Sequence, residues 1–284
     1  MSAASTPEGL LLVDKPKDVT SHDVVDVVRR TLDTRKVGHA GTLDPMATGL
    51  LLVGVGRATR LLRFLGDLPK SYQGRARLGV ETTTLDADGE VTNEAPVRTT
   101  EAAVREAMAG LVGESLQIPP AFSAVKVGGR KLYEAARRGE HVAARARPIR
   151  VDRFDLLLFD PPDADFLVVC SGGTYVRVLA AEVGAGLGCG AHLTRLRRTA
   201  IGPFEVVDAV APDEVGEPLP VERAVSHLPR LALERDEARA AQHGSVLAPA
   251  GIDGPYAVTD PEGVLIGIYL DDGARSKPQV ILVP

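Results

Sequence analysis

Residues 35–49 read RKVGHAGTLDPMATG, with glycines at 38, 41 and 49, a proline at 45 and one acidic residue, Asp44. Glycine and proline at this density interrupt helices and strands, so the stretch is expected to be an ordered loop. The residue before a proline avoids the helical region, so Asp44 is not a solvated charge inside a helix. It either makes a turn or has its carboxylate deliberately placed. Upstream, Gly9–Asp14 (GLLLVD) reads as a buried strand, and Thr20-Ser21 offers an N-cap before an apolar stripe at Val24, Val25, Val28 and Leu32. Downstream, Leu50–Val55 reads as a second buried strand and Ala58–Leu65 as a short helix. Strand, loop and helix together make a plausible wall for a site.

Farther along, Tyr72–Val80 alternates as a strand, Thr82–Gly89 (TTTLDADG) is turn-rich, and Glu101–Leu111 has a helical pattern. Phe166–Cys170 reads as a strand, and apolar residues at helical spacing run from Thr174 to Leu187 after the pair Gly172-Gly173. Beyond Leu231 a short helix (Glu237–His243) precedes strands at Tyr256–Thr259 and Leu265–Tyr269 and a final apolar Val280–Val283. The chain of 284 residues thus reads as a mixed α and β domain over 1–228 and a small β-rich unit over 229–284, divided in the Pro-rich, acidic stretch Pro212–Pro229.

The formal net charge is -5, yet residues 126–150 hold eight Lys/Arg (Lys126, Arg130, Lys131, Arg137, Arg138, Arg145, Arg147, Arg150) against Glu134 and Glu140. Such a local footprint suits phosphates. From Glu205 onward fourteen Asp/Glu face six Lys/Arg, which disfavours strong phosphate binding at that end. The start MSAASTPEG lacks the features of a signal peptide, and no apolar run is long enough to span a bilayer. Two cysteines, Cys170 and Cys189, form neither a disulfide framework nor a CxxC pair. A cytoplasmic protein without membrane attachment is expected. The six histidines lack ligand spacing, so no metal is expected. Gly54-Val-Gly56 imitates a dinucleotide-binding turn but lacks its third glycine and its acidic partner, and no cofactor is expected.

GLLLVDKP, RKVGHAGTLDPMATGLL, KSYQGRARLG, QIPPAFSAVKVGGRKLYEAARRGE and SGGTYVRVLAAEVGAGLGCGAH, in this order and spacing, resemble the bacterial TruB family of tRNA pseudouridine synthases over roughly residues 8–205. The resemblance implies an α+β catalytic core on a mixed, largely antiparallel sheet with flanking helices, followed by a small domain similar to a PUA domain. It implies that Asp44 is the catalytic aspartate, that Arg177 pairs with it, and that Tyr72 lies against the flipped uracil. His39 would help extrude and hold the nucleotide, Tyr175 would belong to the substrate-binding set, and Lys15 would support the active-site loop. The basic insertion at about 122–150, with Lys126, Arg130, Lys131, Arg137 and Arg138, would clamp the T arm of tRNA. The archaeal and eukaryotic guide-dependent relatives lack this insertion, which implies a stand-alone monomer with no guide RNA.

The residue types suit the chemistry. Pseudouridine formation breaks the N1–C1′ bond, turns the uracil and joins C5 to C1′ without redox change. A carboxylate serves by attacking C1′ or by removing a sugar proton to give a glycal, and the residues leave both routes open. Burial pushes Asp44 toward its neutral form, and a nearby guanidinium favours the ionised one. Extruding a stacked base costs a few kcal/mol, part of which stacking on Tyr72 recovers; the flanking Lys70 and Arg75 favour an RNA-facing role for that ring. An alternative is a tRNA-folding chaperone using the same basic segment, which would tolerate loss of the Asp44 carboxylate. A nucleosidase would release free uracil.

Overall fold

A computed structural model describes residues 7–123, 126–127, 130–131 and 144–282. Its strands are β1 (Gly9–Lys15), β2 (Val37–Ala40), β3 (Thr48–Val55), β4 (Lys70–Leu78), β5 (Val80–Thr82), β6 (Val91–Glu94), β7 (Gly113–Gln117), β8 (Lys126–Val127), β9 (Arg130–Lys131), β10 (Arg147–Asp160), β11 (Asp163–Cys170), β12 (Ala191–Ile201) and β13 (Phe204–Glu205), then β14 (Arg230–Ala232), β15 (Pro255–Thr259), β16 (Leu265–Asp272) and β17 (Arg275–Ile281). The helices are α1 (Ser21–Thr31), α2 (Leu62–Gly66), α3 (Glu101–Ala109), α4 (Val176–Gly186) and α5 (Arg235–Gln242). No helix among the described residues is long and apolar enough to cross a membrane.

The fold is α+β. One mixed sheet runs β1-β3-β12-β4-β11-β10-β7, with β2 added beside β3 and β13 beside β12. A parallel pairing joins β12 to β3, Arg197 opposite Thr48 and Arg198 opposite Gly49. The approach is so close that a Cβ on Gly49, at φ +103, would lie 2.2 Å from the Arg198 carbonyl oxygen. Only glycine fits there. On β4, Tyr72, Ala76 and Leu78 face a core closed by Val104 and Met108 of α3 and Leu179 and Val183 of α4. The opposite face of β4 carries Arg75, forked onto Asp165 of β11 at 2.6 and 2.8 Å, and Arg77, forked onto Asp163. Lys70 shares Tyr72's face and Arg75 does not, so Arg75 gives no support to an RNA-facing Tyr72.

The second sheet, β14-β15-β16-β17, has its own core around Leu233, Ala238, Tyr256 and Tyr269. It also shares a core with the large sheet: Ala257, Ile268, Val280 and Leu282 pack with Leu10, Leu50, Leu61 and Leu65.

The loop expected over 35–49 is partly regular. Val37–Ala40 pairs antiparallel with β3, Val37 opposite Val55 and Ala40 opposite Leu52, before Gly41, at φ +75, ends it. The irregular segment is thereby reduced to residues 41–47. Strands β10 and β12 escape a reading by alternation because each carries two register shifts, Val151/Arg153 and Leu156/Leu158 in one, Leu193/Arg195 and Arg198/Ala200 in the other. A shift of one residue swaps the buried face and erases the period-two signal.

Candidate active site

The irregular segment 41–47 is pinned from behind. Ser21, at the start of α1, receives a hydrogen bond from the Leu43 amide at 2.9 Å and donates to the Leu43 carbonyl at 3.1 Å. Lys15, fully buried, donates to the carbonyls of Pro16 (2.9 Å), Val19 (2.7 Å) and Pro45 (3.2 Å). Those bonds use all three ammonium protons. Burial lowers its pKa to about 8, against the pull of Asp44. Lys15 therefore stands behind the loop and does not line the cavity beyond it.

That cavity, of about 370 Å³, is walled by Asp44, Lys70, Tyr72, Tyr175, Arg177 and Arg198 among others. Arg177, in the first turn of α4, is 5% exposed and lies between two acids. Its Nη2 is 3.4 Å from Asp44 Oδ2, and its Nη1 donates to Asp86 Oδ2 at 3.0 Å. Nη2 also donates to the Phe122 carbonyl at 2.7 Å. The Asp44 carboxylate opens on the cavity with protein on its other sides. Its pKa is raised: burial is the largest cause, Arg177 opposes it, and the negative charge of Asp86 adds to it. The guanidinium thus offsets the burial of Asp44 without overturning it.

Tyr72 stands in the wall, buried, its phenol pushed up by burial and drawn down by the Arg198 guanidinium beside it. Tyr175 precedes α4 and is clamped at the backbone by Gln117, whose Oε1 accepts from its amide at 2.8 Å and whose Nε2 donates to its carbonyl at 3.3 Å. The Arg177 guanidinium lies 5.8 Å from the Tyr175 ring centroid. Lys70 is buried, donates to the carbonyls of Gly66 (2.6 Å) and Leu68 (2.9 Å), and has its pKa lowered to about 8, chiefly by burial.

His39 lies outside this wall. It sits on β2 opposite Val53, half-buried, with Nδ1 buried and unbonded among the described residues and its pKa lowered, first by burial and then by Arg198. Lys126, Arg130 and Lys131 fall on the short β8–β9 pair, and Arg137 and Arg138 lie outside the described residues. Three wall or support residues have no counterpart among the expected site residues: Asp86, Lys70 and Arg198. Asp86 lies in the turn-rich stretch 82–89, where its Oδ1 accepts from the Asp88 amide at 3.2 Å and its carbonyl accepts from Thr82 Oγ1 at 2.7 Å. A turn aspartate looks alike in sequence whether or not a distant arginine reaches it. No group of three metal-ligating side chains gathers among the described residues.

Residues 29–176 match the family model described as TruB family pseudouridylate synthase (N terminal domain). Residues 177–228 and 228–283 match two TruB C-terminal domains in turn. The chain belongs to the TruB family. It is thereby a pseudouridine synthase, an isomerase acting on RNA. A TruB relative named tRNA pseudouridine synthase B, from Mycobacterium sp. (strain KMS), is 46% identical over 298 residues, covering 100% of this chain and 99% of its own. One of the same name from Mycobacterium tuberculosis (strain ATCC 25618 / H37Rv) is 44% identical over 291 residues, covering 99% and 98%. Among solved structures, a chain of a Cbf5-Nop10-Gar1 complex superposes with a TM-score of 0.76 at 26% identity, over 97% of this chain and 85% of its own. The TruB core is thus the fold that holds Asp44 at the cavity.

Proposed function

We propose that this chain converts the T-loop uridine at position 55 of transfer RNA to pseudouridine, with Asp44 as the carboxylate that acts at the sugar. The Asp44–Arg177 pair at the mouth of a cavity large enough for a nucleotide carries the reading: a carboxylate opened to the cavity, yet opposite a guanidinium that keeps an ionised fraction available. The mycobacterial relatives named as tRNA enzymes, aligned over nearly their whole length, support tRNA as the substrate.

In this reading the uridine leaves its stack and enters between Tyr72 and the 41–47 segment, where ring stacking contributes on the order of 1–3 kcal/mol. Tyr175 borders the nucleotide from the start of α4. His39, adjacent to the loop on β2, helps hold the displaced RNA, and Lys15 acts through the loop it anchors. The basic segment about 122–150, including Lys126, Arg130, Lys131, Arg137 and Arg138, meets the phosphates of the T arm. Residues 1–228 form the catalytic domain and 229–284 an acidic appendage that packs rather than binds phosphate. The enzyme works alone in the cytoplasm, as a monomer without cofactor or guide RNA.

The test is incubation of an unmodified tRNA transcript with the purified chain, followed by pseudouridine-specific chemical mapping. Modification at position 55 is expected. Modification only at other positions removes the site assignment, and a transcript left unmodified under single-turnover conditions removes the activity.

A further inference from the structure

Arg198 lies in the cavity wall without a counter-ion among the described residues. It is fully buried, and its Nε and Nη2 donate to the backbone carbonyls of Leu50 (2.7 Å) and Gly41 (2.8 Å). Its Nη1 is buried and makes no hydrogen bond of normal geometry among the described residues, while the guanidinium lies against the Tyr72 phenol and lowers its pKa. The contrast with its neighbours is plain: Arg197 is forked onto Asp14 at 3.0 and 2.7 Å, and Arg177 has Asp44 and Asp86. A buried guanidinium that meets carbonyl oxygens and a phenol but no carboxylate is strongly unfavourable in the resting protein. Such a group is of use where negative charge develops in a water-poor site, because it is already oriented when the charge appears.

The proposed isomerisation produces such a charge. When N1–C1′ breaks, its electron pair leaves with the base, giving a uracil anion whose charge spreads over N1 and the two carbonyl oxygens. We infer that the Arg198 guanidinium, buried in the wall beside Tyr72, stabilises that anion through its charge, a role that rests on the proposed function but belongs to neither of its two routes alone. At the sugar, C1′ bonds to an Asp44 oxygen, or C2′ yields a proton to Asp44. After the base turns, C5 bonds to C1′ as the carboxylate departs or returns its proton. C5 then loses a proton and N1 gains one, so the product is an isomer of the substrate. Arg198 keeps its own protons throughout. Its bond to the Gly41 carbonyl ties this anion site to the segment that bears Asp44, so charge stabiliser and carboxylate hold one register.

Single-turnover rates at saturating enzyme for Arg198→Met and Arg198→Gln, on RNA carrying uridine or 5-fluorouridine at the target, test this. Loss of the intact target nucleoside is read by mass spectrometry after digestion. Fluorine makes the departing base a more stable anion, so an enzyme lacking its stabiliser gains more from it than wild type does. Arg198→Met is expected to be slower on uridine RNA by about 100-fold or more, with RNA affinity within about threefold, and its deficit is expected to shrink by about tenfold on the fluorinated RNA. Equal deficits on both RNAs, or a loss wholly in affinity, would overturn the role, because a merely structural arginine is blind to fluorine. If Arg198→Met does not fold, the same comparison on Arg198→Gln, which removes the charge but can still donate to a backbone carbonyl, decides. Wild-type turnover of uridine RNA is the control: its absence removes the proposed function, whereas equal deficits with an active wild type remove only the role of Arg198.

Discussion

At the scale of single residues, the centre of the site is a guanidinium shared by two acids. Arg177 stabilises the Asp44 carboxylate, and Asp86 holds Arg177 while adding negative charge that opposes Asp44 ionisation. If Asp44 acts as proposed, in its ionised form, the pH–rate profile should carry an acidic limb displaced above the ordinary aspartate value of 3.8. Removing the cation with Arg177→Met should move that limb to higher pH, and removing the second acid with Asp86→Asn should move it lower; movement in the same direction would contradict this arrangement. Linkage gives a second expectation. A carboxylate whose folded pKa lies above its unfolded one contributes most below the unfolded value and costs stability as pH rises through the folded value. Asp44→Asn should thus leave the melting midpoint at neutral pH unchanged or raise it by a few degrees, the scale on which about 1 kcal/mol acts in a chain of this size. A clear drop would mean that Asp44 is structural.

At the scale of elements, the decisive contact is between β3 and β12. Gly49→Ala would set a Cβ 2.2 Å from the Arg198 carbonyl oxygen, at a backbone angle that side chains rarely adopt. It should destabilise the protein by roughly 2 kcal/mol or more, read by chemical denaturation, and slow turnover by displacing Arg198. Retention of both would contradict the packing described. The elements around this contact differ in how far they can be read from sequence. Unbroken apolar runs disclose β1 and β3, alternation discloses β4, and capping with a helical apolar stripe discloses α1, where Thr20 forms a reciprocal box with Asp23. The strand β12 hides behind its two register shifts and its run of arginines, whose burial depends on which carbonyl or carboxylate each one meets. Asp44 is legible because its loop is singular and its motif matches one family. Asp86 and Arg198 are not, because their meaning comes from partners 91 and 157 residues away.

At the scale of the whole molecule, the acidic C-terminal unit is bound to the large sheet rather than hung from it. Arg57, Arg60 and Arg63, flanking and within α2, donate to the carbonyls of Leu282, Ile281 and Gln279, and the apolar residues beneath form one shared core. Because α2 ends at Gly66, whose carbonyl holds Lys70 in the cavity wall, this unit buttresses the site. Calorimetry of the full chain should show one cooperative transition, and a chain ending at residue 228 should melt markedly lower; two separate transitions would contradict a shared core. The basic segment sets a separate expectation for the complex. Neutralising Arg137 and Arg138 should weaken tRNA binding and flatten its salt dependence by about one slope unit per lost phosphate contact, without changing the single-turnover rate at saturation. The central claim, that the oxygens of Asp44 act at the sugar, is tested most directly by tritium release from tRNA carrying 5-tritiated uridine, compared between wild type and Asp44→Asn with binding measured in parallel. Release by wild type and none by the variant, at similar affinity, is expected; release by Asp44→Asn at the wild-type rate would remove Asp44 from the chemistry.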